Sequence, residues 1–297
     1  MPDPSPATIT PSAIAFVTVA YHSLEALGEL ARDLLDQSDG PGHWLIINNA
    51  PRTAPLPETG FSPLPVRLIE GEEGEGFGAG CNRGFRWLEG QGWSNWVWLL
   101  NPDTRLPRGD ELRDLSAALS SAPARALLGT AVCSASGTLE PSAGWIDPGL
   151  RFRRRRVGSS HRERDEILHL DWLSGCSLCL RPTAHQPPAR FDPAFPPYYE
   201  DMDLCLRLAR HEAVVLWLPR PLIRHQRGEG SATPSSRRLR LSTVSYLRFL
   251  ARHCPAWVLW LRGGRLLFKT LVRLPLQPRR SLAVLSALVE APQPPAP

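Results

Sequence analysis

Nowhere in the 297 residues do 18 consecutive apolar side chains occur, whereas a bilayer-spanning helix needs roughly 20. The most apolar window, Ala256–Val272, is interrupted by Arg262, Gly263, Gly264, Arg265 and Lys269, so it is not expected to cross a membrane. Met1–Pro11 has neither the basic start nor the apolar stretch of a signal peptide. The six cysteines (Cys81, Cys133, Cys176, Cys179, Cys205 and Cys254) are scattered, and no second CxxC pair accompanies Cys176-Ser-Leu-Cys179. In an apolar run that pair reads as small core residues rather than as half a zinc site or a redox couple. Without an export signal, free thiols and a cytoplasmic location are expected. No internal repeat is present.

Acid is almost missing from one end. Between Ser235 and Pro297, eleven Arg and Lys residues face a single acid, Glu290, whereas residues 1–234 carry 23 basic and 28 acidic side chains. The net charge of +5 therefore hides an acidic body of about −5 and a tail of about +10. That split excludes a uniformly basic nucleic-acid-binding protein, and no nucleic-acid partner is expected. Hydrophobic residues at 42% and charged residues at 21% exclude wholesale disorder.

Strand and helix patterns alternate. Ile14–Ala20 is a near-continuous apolar run and Trp44–Ile47 a second one, the mark of strands covered on both faces. Leu24–Leu35 places Leu24, Leu27, Ala31, Leu34 and Leu35 at helical spacing. Val66–Ile69 reads as a third strand, followed by a Gly-rich segment and a helix through Gly84–Glu89. Strands at Trp96–Leu100 and near Ala126–Ala131 flank a helix over Glu111–Ser120. This alternation predicts an open, mostly parallel α/β sheet, with ligands beyond the carboxyl ends of the strands. Tyr21, Asn48-Asn49 and Asp103 stand at such ends. Arg151–Glu166 reads as an exposed loop, and strands resume at Leu168–Leu173 and Ser177–Leu180. A helix over Asp201–His211, with Leu204, Cys205 and Leu208 inward, and a strand over Ala213–Leu218 then lead to His225.

Asp103, on a rigid strand end broken by Asn101-Pro102, suits a divalent cation such as Mg²⁺ or Mn²⁺ that completes its shell with diphosphate oxygens and water. Asn-Pro-Asp is equally a good turn. Glu200-Asp201-Met202-Asp203 opens a helix, where acids favour the dipole. Three acids exceed what one cap needs, so one could deprotonate a hydroxyl nucleophile. His225 lies in a polar turn, where neutral imidazole could complete a metal site. Gly74-x-Gly76-x-x-Ala79 loosely fits a dinucleotide fingerprint, but Glu70, Glu72, Glu73 and Glu75 crowd the place of the pyrophosphate.

Seven segments stand in order: FVTVAYHS, LIINNAP, GFGAGCNRG (Gly76–Gly84), WLLNPDT, DWLSGCSLCLRP, FDPAFPPYYEDMDLCLRL and IRHQRGEGS. Together, from Ile14 to about Ser231, they resemble glycosyltransferase family 2, and within it the rhamnosyltransferase-like enzymes of bacterial envelope polysaccharide synthesis. The resemblance implies a GT-A fold with a C-terminal helical tail. It implies inverting transfer of a sugar from a nucleotide-diphosphate donor to a hydroxyl of a glycan or lipid-linked acceptor. Asp103 would bind Mg²⁺ or Mn²⁺ in a motif whose first acid is here Asn101, and His225 would be a further ligand. Asp201 would be the base, with Glu200 positioning acceptor or base. Tyr21, Asn48, Asn101 and the Gly80–Asn82 region would line the nucleotide pocket.

The chain departs from the family at Asn48, where an aspartate is usual, and at Ala20, His22 and Cys81, where asparagines are. A catalytically inactive nucleotide-sugar-binding or scaffold protein of the same fold is the alternative reading. The implied domains are a disordered 1–12, a catalytic 13–234 and a basic amphipathic tail at 235–297. In that tail Ser235–His253 reads as a helix, and Ala256–Leu274 interleaves bulky apolar residues with cations. Such a pattern suits either an anionic membrane surface, making the chain peripheral on the inner face of the plasma membrane, or an ordinary packed helix.

Overall fold

The computed structural model describes residues 9–57, 60–147, 153–226 and 235–291. Twelve strands carry the architecture among these residues: β1 (Ile14–Ala20), β2 (His43–Asn48), β3 (Val66–Glu70), β4 (Trp96–Leu100), β5 (Thr104–Arg105), β6 (Ala126–Ser134), β7 (Ala143–Asp147), β8 (Arg153–Arg156), β9 (Leu168–His169), β10 (Trp172–Leu173), β11 (Ser177–Leu180) and β12 (Val214–His225). The helices are α1 (Leu24–Leu35), α2 (Phe77–Gly90), α3 (Glu111–Ser120), α4 (Ser159–Glu163), α5 (Glu200–Ala209), α6 (Ser236–His253), α7 (Ala256–Arg273) and α8 (Pro278–Glu290).

The main sheet runs β3-β2-β1-β4-β11-β6-β12-β5, with β9 also on β12. Pairings among β3, β2, β1 and β4 are parallel, as is β6 with β12, while β11 runs against both β4 and β6. The expected open, mostly parallel sheet is what forms.

Alternation along β1 explains why all but Thr18 in it is apolar. Ala15, Val17 and Val19 face one core with α2 and α5, whereas Ile14, Phe16 and Ala20 face another with α1 and α3. Each fully buried Leu, Ile or Phe contributes about 1.5–3 kcal/mol relative to exposure, so both layers are needed to hold the sheet.

Four segments differ from the sequence expectation. The Gly-rich stretch is not a loop before a helix but the first half of α2, because small residues let the helix sit close on β1. A Cβ at Gly80 would lie 2.8 Å from Val19 Cγ1. β12 continues past Leu218 to His225: Pro219 and Pro221 signal a break, but the strand shifts register between Leu218 and Leu222 and resumes pairing with β6. The arginine-rich loop contains β8 and the single turn α4; β8 pairs antiparallel with β7, and Arg155 lies 5.2 Å from the Trp145 ring centroid. Leu168–Leu173 is two strands, because the chain leaves β12 at β9 and joins β7 at β10.

Residues 9–12, expected to be disordered with the rest of 1–12, are described. The Ile9 N–H donates to Ser120 Oγ at 2.8 Å, and Pro11–Ala13 forms a short 3₁₀ turn. Residues 1–8 and the 227–234 segment, where the domain boundary was expected, lie outside the described residues. Beyond that boundary α6 is built into the core: Phe249 and Leu250 are fully buried in the cluster that holds Val17 and Phe85.

Candidate active site

The carboxyl ends of β1, β2 and β4 lie side by side, and β11 begins beside the end of β4. Asn101, just past β4, donates its backbone N–H to the Cys176 carbonyl at 3.2 Å. That bond joins two segments with separate chemistry.

On one side, the Gln226 N–H donates to the Asp103 carbonyl at 2.8 Å, and β12 pairs with β5 at His225 and Thr104. The backbone thereby brings His225 Nε2 within 3.2 Å of Asp103 Oδ1. The other ring nitrogen, Nδ1, meets Glu140 Oε2 at 3.0 Å. Burial pushes His225 toward neutrality, but the hydrogen bonds and charges of Asp103 and Glu140 outweigh it and raise its pKa. The Asp103 side chain is one-third exposed, at 33%. A carboxylate oxygen and an imidazole nitrogen, one of them open to solvent, fit a divalent cation that takes its other ligands from diphosphate and water. Among the described residues no three His, Cys, Asp or Glu side chains form a closed metal cage.

On the other side, α5 opens with the acids. Asp201 Oδ2 accepts from the Gly175 N–H at 3.0 Å, and Oδ1 accepts from the Met202 N–H at 2.8 Å. Burial raises the Asp201 pKa against these bonds. Gly175 has little room for a side chain, since a Cβ there would come within 2.4 Å of Phe77 Cε1. Glu200 is buried at 7% exposure, its Oε2 has no hydrogen-bond partner among the described residues, and burial followed by the charge of Asp201 pushes its pKa up to about 8. Burial and the Glu200 charge also push the Cys81 thiol well up, which places the departure at Cys81 in the electrostatic field of this pair. Asp203 has a different role. Fully buried, it bonds Arg207 at 2.6 Å, His253 at 2.8 Å and Arg252 at 3.1 Å, tying α5 to α6.

The nucleotide-facing expectations divide. Tyr21 is 53% exposed at the end of β1, edge-on to His22 at 4.6 Å, and is free to stack on a planar ring. Asn48 is buried; Oδ1 accepts from the Ala50 N–H at 3.0 Å and Nδ2 donates to the Ala54 carbonyl at 3.0 Å, so its amide shapes the loop after β2. Gly80 packs on Val19, and Asn82 exchanges two hydrogen bonds with the Phe191 backbone at 2.8 and 2.9 Å. Both therefore sit inside the structure and position α2 rather than face a ligand.

Two residues were not singled out from sequence. Glu140 lies past the turn that follows β6 and folds back beside it, its N–H on the Val132 carbonyl at 2.8 Å, a placement no motif announces. Gly175 lay within the quoted DWLSGCSLCLRP segment, whose small residues were its only signal. Asn49, named with Asn48 at the end of β2, donates from Nδ2 to the Gly76 carbonyl at 2.8 Å and has a buried Oδ1 without a hydrogen-bond partner among the described residues.

The family model for "Glycosyl transferase family 2" matches residues 15–168, more than half of the chain. The chain belongs to glycosyl transferase family 2. Its expected membership and α/β fold are thus both met. This glycosyltransferase is 26% identical to the N-acetylglucosaminyl-diphospho-decaprenol L-rhamnosyltransferase of Mycobacterium tuberculosis, over 92% of this chain and 97% of that protein. Its fold resembles the crystal structure of S. aureus TarS 1-349, with TM-score 0.52, 12% identity and coverage of 94% of this chain and 80% of that one. It also resembles GalNAc-T7, crystallised with UDP, GalNAc and Mn²⁺, with TM-score 0.55 and 12% identity. That match covers 80% of this chain but only 48% of GalNAc-T7, about half its length.

Proposed function

We propose that this glycosyltransferase moves L-rhamnose, with inversion, from a nucleotide-diphosphate donor to a hydroxyl of a lipid-linked glycan acceptor. The observation that carries the reading is the arrangement about the Asn101–Cys176 bond: Asp103 with His225 on one side, and Asp201 held by Gly175 on the other. The relative that acts on a diphospho-decaprenol acceptor supports the sugar and the acceptor class.

Inversion is one in-line displacement through an oxocarbenium-like transition state. Asp201 removes the acceptor hydroxyl proton, and its pKa, raised by burial, makes it a stronger base than an ordinary aspartate. The acceptor oxygen forms the new bond to the anomeric carbon as the bond to the β-phosphate oxygen breaks, and the electron pair leaves with the nucleoside diphosphate. The N–H groups of Gly175 and Met202 fix the base's orientation. Asp103 and His225 would hold Mg²⁺ or Mn²⁺, with Glu140 orienting the imidazole. A divalent cation bound there supplies charge for the diphosphate leaving group. Tyr21 offers its exposed ring to the nucleobase.

The test is incubation with thymidine-diphosphate-rhamnose, Mn²⁺ and an N-acetylglucosaminyl-diphospho-polyprenol, read by mass spectrometry of the lipid. Gain of one deoxyhexose, lost with Asp201→Asn while donor binding persists, is the expected result. Donor binding with no transfer to any lipid-linked acceptor would instead support the inactive scaffold.

A further inference from the structure

The three C-terminal helices do not share one role. α6 spends its cations on the catalytic core: Arg252 pairs with Asp192 and Asp203, and Arg248 donates to the Ala194 carbonyl. α8 closes against α6 through the Arg240–Glu290 pair at 2.5 Å. α7 is held on one side, where Val258 and Thr270, about 120° apart around the helix, are buried. Its opposite side is bare. Trp257, Trp260, Leu261, Phe268, Leu271 and Val272 are 43, 76, 58, 68, 50 and 61% exposed. At 3.6 residues per turn these six fall within an arc of about 120°, forming one continuous apolar face.

A soluble surface seldom leaves two tryptophans and a phenylalanine together in water. Beside this arc stand Arg265, Lys269 and Arg273, all exposed, and none is paired with a carboxylate among the described residues. No acid occurs between Ser235 and Val289. We propose that this face of α7 docks in the headgroup region of an anionic phospholipid bilayer, with the helix axis in the membrane plane. No helix among the described residues is long and apolar enough to cross a membrane, so α7 would lie on the surface. Charge decides the occupant. A second copy of the chain would bring two cationic margins together without acids to neutralise them, whereas anionic headgroups supply the missing charge. The proposal does not depend on which sugar is transferred; on the reading above, it sets the enzyme where a lipid-linked acceptor is found.

The test is sedimentation of the full chain with phosphatidylglycerol-containing vesicles and with pure phosphatidylcholine vesicles. The parent protein should partition onto the anionic vesicles, and Trp260→Glu with Phe268→Glu should lower partitioning about tenfold or more. Arg265→Gln with Lys269→Gln should remove the preference for anionic lipid. Because these side chains are exposed, thermal midpoints should match the parent, and donor binding should persist. Parent protein left in the supernatant, or Trp260→Glu/Phe268→Glu binding as the parent does, would overturn the proposal. A dimer that this double variant dissolves would reassign the face to contact between copies.

Discussion

His225 Nε2 stands 3.2 Å from Asp103 Oδ1. Its distance follows from backbone pairing of β12 with β5, so the geometry of the proposed cation site is set by strand register rather than by a flexible loop. Glu140, on the far side of the ring at 3.0 Å, fixes which nitrogen turns toward Asp103. Glu140→Gln keeps the shape and removes the charge. Mn²⁺ affinity, read by titration calorimetry, should fall about 10- to 100-fold, and His225→Ala should lower it further. Mn²⁺ binding unchanged in both variants would place the cation elsewhere.

Glu200 makes folding sensitive to pH. Its carboxyl ordinarily titrates at 4.5 and is pushed up to about 8 by burial and by Asp201. Below 4.5 folded and unfolded chains both hold the proton. Between 4.5 and about 8 the folded chain keeps it and the unfolded chain releases it, so stability falls as pH rises through that window. The thermal midpoint of the protein without added metal should therefore drop from pH 5 to pH 8. Glu200→Gln should show a shallower decline, because it removes the group that titrates in that window. Equal slopes in the two proteins would mean that Glu200 titrates normally.

The sheet was legible because a strand buried on both faces must be largely apolar, as β1, β2 and β4 are apart from Thr18, His43 and Asn48. The ends of α1 and α3 were readable from helical spacing alone. α2 was half missed: glycines usually break helices, and only the contact of Gly80 with Val19 shows why they stand inside this one. His225 was found as a residue but not as a strand residue, since two prolines concealed the second half of β12. The acids of α5 were visible as a surplus. Their division was not, because the partner of Asp203 is His253, fifty positions away on a helix whose sequence reads as a tail.

That division carries a stability prediction. Asp203 meets Arg207, Arg252 and His253 together, with Arg252 also reaching Asp192, and these bonds outweigh burial to hold its pKa below the usual range. Asp203→Ala strands cations against a buried gap. The expected loss is about 3–5 kcal/mol, measured by urea unfolding. Removing everything after residue 234 should be worse, since it also takes Phe249 and Leu250 from the core. A loss below about 1 kcal/mol for Asp203→Ala would show that α6 is held by apolar packing alone.

Gly175 offers a test of how tightly the proposed base, Asp201, is placed. A Cβ there would meet Phe77 Cε1 at 2.4 Å, and the Gly175 N–H holds Asp201 Oδ2 at 3.0 Å. Gly175→Ala should push this segment off Phe77 and displace the carboxylate without unfolding the chain. A displacement of about 1 Å can cost on the order of 100-fold in rate, so kcat should fall on that scale while donor affinity stays unchanged. The second substitution Phe77→Leu removes the ring edge that the new methyl meets. The double variant should therefore recover much of the lost kcat, measured as initial rates at saturating donor. Loss of rate without recovery in the double variant would mean that the glycine serves its backbone conformation, not the space beneath the ring.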